Sequence, residues 1–578
     1  MRYLEVKQKP EKNYLPIIII NAVLILLVIF RAFLCISIMD EPFNIGQAFR
    51  TIQGNVYLVE NWDYFQTGDS FLTPFLYVFY KITGSTEGII LFARIVFIVL
   101  QIILAAFVFR ILSIFFDRVH SLFAATVYIT AVSQLIYSMW YDNWESYFRL
   151  IGLFLVFFVT ASSDGISPKR SHLLIFAAGI AHACMVYAYP TMIIVYLYVL
   201  VFLFFYRRKD QAKKHNLWAV FYILGAASVF IIFLLYVLKI GVNNLFIFND
   251  VLKDVGLAST GRADQFSASD ILTRTKLLFI ENFKLYLTPL IVFAVDIILL
   301  YVMRKSKMRV AVFCLLMMTG CMVHLLNTVF RSDSLMSLTA YMSLYAVPLY
   351  FLIRKKTDRK DLYKHLFVIL FISSYLSGLA YAFTAMNGAV KFYAGARAGV
   401  IPVILLLGEV IKDAEFRIDS RKVFSIFTTL MIGFNVFALY SHSFDGNRPL
   451  ECDTMIRSGI YKGIIDCKET AERYELAEET FKRLITEDDK TITCGPFATG
   501  FYFASDLKPD AINLYDPNNT ELLFKYYDKY YGEPDLIVMH YRLDVGVNPL
   551  FTDFINTKYR LIGYTDSFSF YRRIRSEV

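Results

Sequence analysis

Two adjacent carboxylates, Asp40 and Glu41, follow an apolar run that extends from Leu15 to Met39. A carboxylate in this position can accept a proton from an attacking hydroxyl, and a pair of carboxylates can help to hold a divalent cation. Charge beside a long apolar run is unfavourable unless it serves a function. We therefore interpret Asp40 as a candidate general base, with Glu41 as its partner. The alternative is a helix N-terminus, which acidic residues before a proline such as Pro42 favour.

A second pair of acidic residues lies in the segment WYDNWESYFRL, which begins at Trp140. Asp142 and Glu145 are three residues apart, so they share one face of a helical turn. The tryptophans of this segment suit a sugar face as well as a membrane interface. We interpret Trp140, Asp142 and Glu145 as candidate substrate-binding residues. The alternative is an interfacial aromatic belt with solvated acids.

The elements that must position these residues are membrane-spanning helices. The chain has 578 residues, of which 57% are hydrophobic and 19% are charged. An average soluble domain has about 45–50% apolar and about 25% charged residues. The composition excludes intrinsic disorder, and apolar runs long enough to cross a bilayer argue against an ordinary soluble protein. The sequence predicts a polytopic α-helical membrane protein with about thirteen spans.

The basic residues predict the orientation of these spans. With the N-terminus placed in the cytoplasm, the inner segments hold about 27 Lys and Arg, against about 9 in the outer loops. Cytoplasmic loops carry such an excess, and an odd number of spans then places the C-terminal region outside the cytoplasm. A basic excess of this kind indicates a lipid bilayer as the partner and is no evidence for nucleic acid.

The chain divides into two predicted domains. Residues 1–441 form a transmembrane domain with two long outer loops, at 40–87 and 241–283. The first loop contains two amphipathic segments, beginning at Phe43 and Phe71, which we expect to lie in the membrane interface. Residues 442–578 carry 17 Lys and Arg against 23 Asp and Glu and form a small extracytoplasmic α/β domain. Strands are expected near Thr491, Ala511 and Asp535, with a closing hairpin from Tyr559.

The seven cysteines divide in the same way. Four fall in apolar runs and are interpreted as small buried residues: Cys35, Cys184, Cys314 and Cys321. Cys452, Cys467 and Cys494 fall in the acidic C-terminal part and show no metal-ligand spacing. A Cys452–Cys467 bridge is the pairing that the sequence leaves open.

The segment MDEPFNIGQAF, from Met39, together with this topology, resembles the GT-C superfamily of integral-membrane glycosyltransferases. The protein O-mannosyltransferases and the aminoarabinose transferases of lipid A, the glycosyltransferase family 39-like group, belong to it. The resemblance implies a polyprenyl-phosphate sugar as donor, Asp40 as the base and Asp142 as a second-loop acid. The chain departs from the family pattern because its first loop has no D-x-D motif and keeps only Pro74 of a proline-rich segment. A divalent cation, Mg or Mn, therefore stays open, with Asp40 and Asp142 as its ligands if it has any here.

A donor that carries phosphate also implies cations that stabilise the charge developing on the leaving group. The candidates on the predicted outer side are Lys81, Arg94, Arg262, Arg331, Lys391 and Arg397. For most of these the alternative is an ordinary loop residue, or a side chain that extends along the membrane to reach water.

The sequence thus predicts a membrane glycosyltransferase that moves a hexosyl or pentosyl group, with inversion, to a hydroxyl of a cell-envelope glycan, lipid or protein on the outer face. One alternative is a transporter or flippase of lipid-linked saccharides, which should show inverted repeats and interrupted helices at mid-membrane. Another is a non-catalytic envelope assembly protein whose C-terminal domain binds a partner.

Overall fold

The structure is a computed structural model of the full chain. It describes residues 15–61, 66–130, 136–162, 165–205, 212–244, 268–306, 308–328, 334–353, 359–384, 388–413, 420–441, 443, 446–512, 520–541 and 548–575. Arg262, Arg331 and most of the loop predicted at 241–283 lie outside these residues, although a helix is already formed from Ala268.

Long apolar helices make up the first three quarters of the chain. Within the described residues, nine helices are long and apolar enough to cross a membrane, and three shorter apolar helices accompany them. The nine are Ile89–Phe115, Tyr141–Ala161, Pro168–Ala188, Leu217–Ile240, Arg309–Thr328, Met336–Ile353, Lys360–Phe383, Lys391–Lys412 and Lys422–Ser441; the shorter ones are Ile18–Arg31, Pro190–Phe205 and Leu287–Val302. The predicted polytopic membrane protein is confirmed.

The helices differ strongly in how far other helices cover them. The apolar window of Lys391–Lys412 is completely buried, whereas only 17% of that in Leu217–Ile240 is buried. Side chains such as Phe230 and Ile232 are left exposed, as expected of a helix that faces lipid. The Lys391–Lys412 helix therefore lies in the centre of the bundle, and its charged residues Lys391, Arg397 and Glu409 are buried.

The first outer loop contains two short helices, Asp40–Phe49 and Thr73–Thr83. The second exposes Tyr77, Val78 and Ile82, consistent with the expected interfacial position. The first does not lie on a membrane surface, because every residue from Glu41 to Phe49 is buried. Its polar side chains contact other parts of the chain, because Glu41 pairs with Arg94 and Gln47 accepts a hydrogen bond from Asn61. The apolar pattern of one segment cannot predict these contacts.

The C-terminal domain is built on a five-stranded sheet of order β4-β3-β5-β7-β6. Its strands are β3 Thr491–Cys494, β4 Lys508–Pro509, β5 Leu536–His540, β6 Tyr559–Tyr564 and β7 Phe568–Arg573. Strand β3 pairs in parallel with β4 and β5, while β7 pairs antiparallel with β5 and β6. The helices Lys468–Leu484, Thr520–Lys529 and Pro549–Lys558 complete an α/β domain, as predicted.

A smaller sheet joins this domain to the membrane part of the chain. Strands β1 (Thr454–Met455) and β2 (Ile465–Asp466) pair antiparallel, and Leu34 forms a parallel bridge with Ile465. The Cys35 amide donates to the Ile465 carbonyl at 2.8 Å, and the Ile465 amide donates to the Phe33 carbonyl at 2.8 Å. The segment after the first helix is thus held as an extra strand of the C-terminal domain.

The first outer loop is held to the same domain by buried polar side chains. Arg50, which is fully buried, donates to the Ala511 carbonyl at 2.9 Å and to the Glu60 carbonyl at 3.0 Å. Gln53 donates to the carbonyl of Tyr502 at 2.7 Å and to that of Leu507 at 3.0 Å. These bonds fix the loop that carries Asp40 and Glu41 relative to the sheet.

Asp510, next to β4, makes the stability of this junction depend on pH. Its side chain is fully buried and neither carboxylate oxygen has a hydrogen-bond partner within the described residues. Desolvation raises its pKa to about 8, whereas an unfolded Asp titrates near about 3.9. The folded state therefore holds the proton of Asp510 more tightly than the unfolded state does, so the contribution of this group to stability is greatest below about pH 4 and is lost as the pH rises through about 8.

We expect Asp510→Asn to remove this pH dependence, because the amide is neutral at every pH. At pH 8.5 the variant should be more stable than the parent by about 1–3 kcal/mol, and at pH 5 the difference should be much smaller. Thermal unfolding in detergent at the two pH values measures the effect. An equal change at both values would show that ionisation of Asp510 does not contribute.

Candidate active site

Asp40 and Glu41 occupy the first turn of the Asp40–Phe49 helix, but their surroundings differ. Asp40 is half-buried, and Glu41 is buried in a bidentate ion pair with Arg94. Arg94 Nε lies 2.8 Å from Glu41 Oε1, and Nη2 lies 2.6 Å from Oε2. The first-turn position suits both acids, because the helix N-terminus carries partial positive charge. The helix thus anchors one carboxylate and leaves the other near the surface.

Arg94 also binds the chain segment that leads to Asp40. Its Nη1 donates to the Ala32 carbonyl at 2.9 Å and to the Leu34 carbonyl at 3.2 Å, and its Nη2 donates to the Cys35 carbonyl at 2.8 Å. All three guanidinium nitrogens are engaged. Arg94, expected among the phosphate-binding cations, therefore holds the approach to Asp40 in place.

A second group of charged residues, termed here the polar cluster, consists of Asp142, Glu145, Arg149, Tyr381 and Lys391. Lys391 Nζ forms a buried ion pair with Asp142 Oδ2. The same Nζ lies 4.4 Å from the ring centroid of Trp140, a cation–π contact. The structure thus brings together Trp140, Asp142 and Lys391, three candidates from two distant segments of the sequence.

Glu145 organises the other half of the polar cluster. Arg149 Nε lies 2.7 Å from Glu145 Oε1, one helical turn along the same helix. The Tyr381 hydroxyl donates to Glu145 Oε2 at 2.9 Å. Both carboxylate oxygens of Glu145 are occupied in this way, and its side chain has no exposure to solvent.

Several polar atoms in the polar cluster have no partner within the described residues. These are Asp142 Oδ1, Arg149 Nη1 and Arg149 Nη2, although the Arg149 side chain is fully buried. Buried polar groups are nearly always hydrogen-bonded, and an unpaired buried donor on a cation is especially unfavourable. The two unpartnered guanidinium nitrogens of Arg149 are suited to bind an anion such as phosphate.

The helix that carries Asp40 and Glu41 and the helix that carries Asp142 and Glu145 both contact the short helix Gln66–Asp69. Gly68 makes the second contact possible. A Cβ at this position would lie 2.5 Å from Tyr141 Cβ and 2.9 Å from the Ala188 carbonyl oxygen. Any larger residue there would push the Tyr141–Ala161 helix, and with it Asp142, away from the first loop.

The remaining predicted cations lie elsewhere. Lys81 is exposed at the end of the Thr73–Thr83 helix, 5.4 Å from the Tyr77 ring centroid. Arg397 is buried beside the polar cluster, 5.2 Å from the ring centroid of Tyr128, whose hydroxyl is 2.5 Å from Ser146 Oγ. Arg262 and Arg331 lie outside the described residues. Of the four candidates that lie within the described residues, Lys391 is the one that joins the polar cluster directly.

Sequence reasoning did not single out Arg149 and Tyr381. Arg149 carried a local signal, because an acid and a base four residues apart on a helix are positioned to pair, and an ionisable residue inside a membrane span is a functional candidate. Tyr381 carried no local sequence signal, because it contacts Glu145 from a helix that lies 236 positions further along the chain.

The metal that the sequence left open does not fit the acids proposed for it. Within the described residues, the one group of three His, Cys, Asp or Glu donors within 4.8 Å of one another is Cys452, Asp466 and Cys467. Neither Asp40 nor Asp142 belongs to such a group, and Asp142 is already paired with Lys391.

The helices and the buried charges define a multi-pass membrane protein with a buried polar cluster and a C-terminal α/β domain. No family model matches the sequence. No curated protein matches it either. Among solved structures, the chain is similar to ArnT from Cupriavidus metallidurans bound to undecaprenyl phosphate, with 11% identity over 98% of this chain and 99% of that chain and a TM-score of 0.41. The apo state of ArnT gives 11% identity, 96% and 98% coverage and the same TM-score.

ArnT is an aminoarabinose transferase, the group that the sequence resemblance names. At this identity and TM-score the likeness assigns no activity or ligand to this chain.

Proposed function

We propose that this protein is a membrane glycosyltransferase that takes a sugar from a polyprenyl-phosphate donor and passes it to a hydroxyl of a cell-envelope acceptor. One observation carries the proposal: the polar cluster contains a buried arginine with two unpartnered guanidinium nitrogens, on the same helix as Asp142, the ion-pair partner of the buried Lys391. An anionic phosphate would satisfy these donors. The resemblance of the MDEPFNIGQAF segment and the topology to GT-C enzymes supports the choice of a lipid-linked sugar.

In this proposal Arg149 and Lys391 bind the phosphate of the donor. The acceptor hydroxyl gives its proton to Asp40 as its oxygen attacks the anomeric carbon. The bond from that carbon to the phosphate oxygen breaks, and the polyprenyl phosphate leaves with the bonding electron pair. Direct attack opposite the leaving group inverts the anomeric centre. Positioning and one base suffice, because the phosphate ester already activates the sugar.

The remaining residues act through these three groups. Glu41 holds the Asp40–Phe49 helix through Arg94, and Glu145 with Tyr381 orients Arg149. Trp140 offers an aromatic face near Lys391 for the sugar ring. The basic bias of the predicted inner loops supports placing this reaction on the outer face, with the N-terminus in the cytoplasm.

The proposal is tested with purified protein in proteoliposomes that contain a polyprenyl-phosphate sugar labelled in the sugar, together with an envelope extract as acceptor. We expect label to appear in the acceptor and free polyprenyl phosphate to appear in equal amount. If the labelled lipid crosses the bilayer without being cleaved, the protein is a flippase, and if the lipid stays unchanged in place, the enzyme proposal fails.

Lys391→Met should lower kcat by about 10²–10³ because it removes a charge that stabilises the leaving phosphate. The change also leaves Asp142 buried without its partner, so the matched variant is Lys391→Met/Asp142→Asn, which removes both charges. We expect the double variant to regain stability in thermal unfolding and to stay inactive. Activity restored in the double variant would limit Lys391 to holding Asp142.

A further inference from the structure

Three cysteines and one aspartate lie close together where the segment after the first helix pairs with the C-terminal domain. Cys35 Sγ lies 3.2 Å from Cys452 Sγ, although the two residues are 417 positions apart. Cys467 Sγ and the Asp466 carboxylate lie within 4.8 Å of the Cys452 sulfur. Seven cysteines in 578 residues would rarely place three together by chance, so the arrangement calls for a chemical explanation.

The backbone around these sulfurs is firmly fixed. Hydrogen bonds of 2.8 Å join Cys35 and Phe33 to Ile465, and the Ile36 amide donates to Asp466 Oδ2 at 2.6 Å. Asp466 Oδ1 accepts from Asn447 Nδ2 at 2.6 Å and from the Cys467 amide at 2.7 Å. Both oxygens of Asp466 are thus used to hold the chain, which leaves the sulfurs as the reactive groups.

The pairing of Cys35 with Cys452 is favoured over the pairing of Cys452 with Cys467. Cys35 and Cys452 are in direct sulfur contact, whereas Cys467 Sγ donates to the Glu451 carbonyl at 3.4 Å. A disulfide requires a sulfur separation of about 2.05 Å. The two sulfurs must therefore approach by only about 1 Å, which side-chain rotation can supply.

The surroundings also favour a reactive Cys35. Arg31 Nη1 donates to the Leu34 carbonyl at 2.8 Å, and Arg94 Nη2 donates to the Cys35 carbonyl at 2.8 Å. The pKa of the Cys35 thiol is lowered, first by the hydrogen bond from Cys452 and then by the nearby charges of Arg31 and Arg94. A thiolate is the form that attacks a disulfide.

We propose that Cys35 and Cys452 form a disulfide that ties the outer end of the first helix to the C-terminal domain, with Cys467 left as a free thiol. The inference rests on the outer location given under the proposed function, because disulfides persist in oxidising compartments. It does not require the chain to transfer sugar.

The bond forms by exchange with an oxidised dithiol protein of the oxidising compartment. Cys452, which is half-buried and so accessible to the oxidant, gives up its proton, attacks the disulfide of that oxidant and forms a mixed disulfide, while one oxidant sulfur takes up the proton and leaves as a thiol. The Cys35 thiolate then attacks the Cys452 sulfur and releases the second oxidant thiol. Two electrons and two protons pass from the cysteine pair to the oxidant.

The disulfide would fix the segment that carries the proposed base, since Asp40 follows Cys35 by five residues. It would add a covalent link to the bonds that Arg94 makes with the same segment. The position of Asp40 would then depend on the redox state of a bond that lies outside the polar cluster.

The test determines which cysteines of the full chain are free thiols and which are joined in a disulfide. Cells that express the protein are quenched in acid, and free thiols are blocked with N-ethylmaleimide before trypsin digestion without reductant. Trypsin separates the three cysteines onto different peptides, with Cys35 on residues 32–50 and Cys467 on residues 463–468. We expect a Cys35–Cys452 cross-linked peptide, two hydrogens lighter than its parts, and a blocked Cys467.

Three results would overturn the proposal: maleimide on both Cys35 and Cys452, a Cys452–Cys467 cross-link, or one zinc per chain that is lost in Cys467→Ala. A stability comparison adds a second measurement. Cys452→Ala should lower the unfolding midpoint by about 5 °C, and Cys467→Ala, the matched control, should leave it unchanged. Equal midpoints for the two variants would also contradict the disulfide. Because neither measurement uses a sugar donor, failure of the transfer assay leaves this result intact.

Discussion

Replacing Asp40 by Asn is expected to lower kcat for sugar transfer by about 10²–10⁴, the usual contribution of a positioned general base. The amide has the shape of the carboxylate but cannot take a proton from the acceptor hydroxyl. Because Asp40 is half-buried and Glu41 keeps its ion pair with Arg94, the fold should be retained. The loss should fall on kcat with little change in the KM of the donor, as for an interaction needed only in the transition state.

The matched variant is Asp40→Glu, which keeps the carboxylate and moves it by one methylene. We expect it to retain at least ten times the activity of Asp40→Asn, and still to lie well below the parent, because displacement by about 1 Å can reduce the rate by about 10². Transfer of labelled sugar in proteoliposomes gives both values. Parent-like transfer by Asp40→Asn would remove Asp40 from the mechanism.

The membrane part of the fold could be predicted because each span is one uninterrupted apolar segment of the sequence. An apolar run of about 20 residues needs no partner to be recognised. The Asp40–Phe49 helix shows the limit of this reasoning. Its apolar face was visible in the sequence, yet its polar face is buried as well, and Arg50 and Gln53, which follow the helix, bind carbonyls of the C-terminal domain. No local pattern in the sequence can reveal contacts with residues that lie about 450 positions away.

In the C-terminal domain, too, the strands that could be predicted are those with a local sequence pattern of their own. Strands β3 and β5 are largely buried, and both were predicted, as was the β6–β7 hairpin. Most of the strand expected from Ala511 lies outside the described residues; β4 lies just before it, at Lys508–Pro509, and Ala511 itself is in a bend. The short strands β1 and β2 depend on the segment after the first helix for their pairing, so their own residues carry little signal.

The acids of the candidate site were easier to predict than their partners. Asp142 and Glu145 share a segment with tryptophan, which drew attention to them. Lys391 was one of six cations on the predicted outer side, and nothing local distinguished it from Lys81. Lys391 differs from Lys81 in burial. It lies on the central helix of the bundle, where its charge requires the partner Asp142.

Breaking the ion pair of Glu41 and Arg94 should have the second large effect, this time on stability. The two side chains are 1% and 5% exposed. Removing one partner of a buried pair leaves an uncompensated charge and typically destabilises a protein by about 3–5 kcal/mol. Glu41→Gln should therefore lower the unfolding midpoint, and Arg94→Met should lower it further, because it also leaves the carbonyls of Ala32, Leu34 and Cys35 without their donor.

The double variant Glu41→Leu/Arg94→Met separates anchoring from chemistry. It removes both charges, so it should be more stable than Arg94→Met alone, and the two single effects should not add. Transfer should nevertheless stay low in the double variant, because the segment from Ala32 to Cys35 no longer has the guanidinium that orients Asp40. Glu41→Gln is the deciding case: a variant with an unchanged unfolding midpoint and no transfer would make Glu41 a group that acts on the substrate. An unfolding midpoint that falls, with activity retained in the molecules that stay folded, identifies Glu41 as the residue that holds the catalytic helix in place.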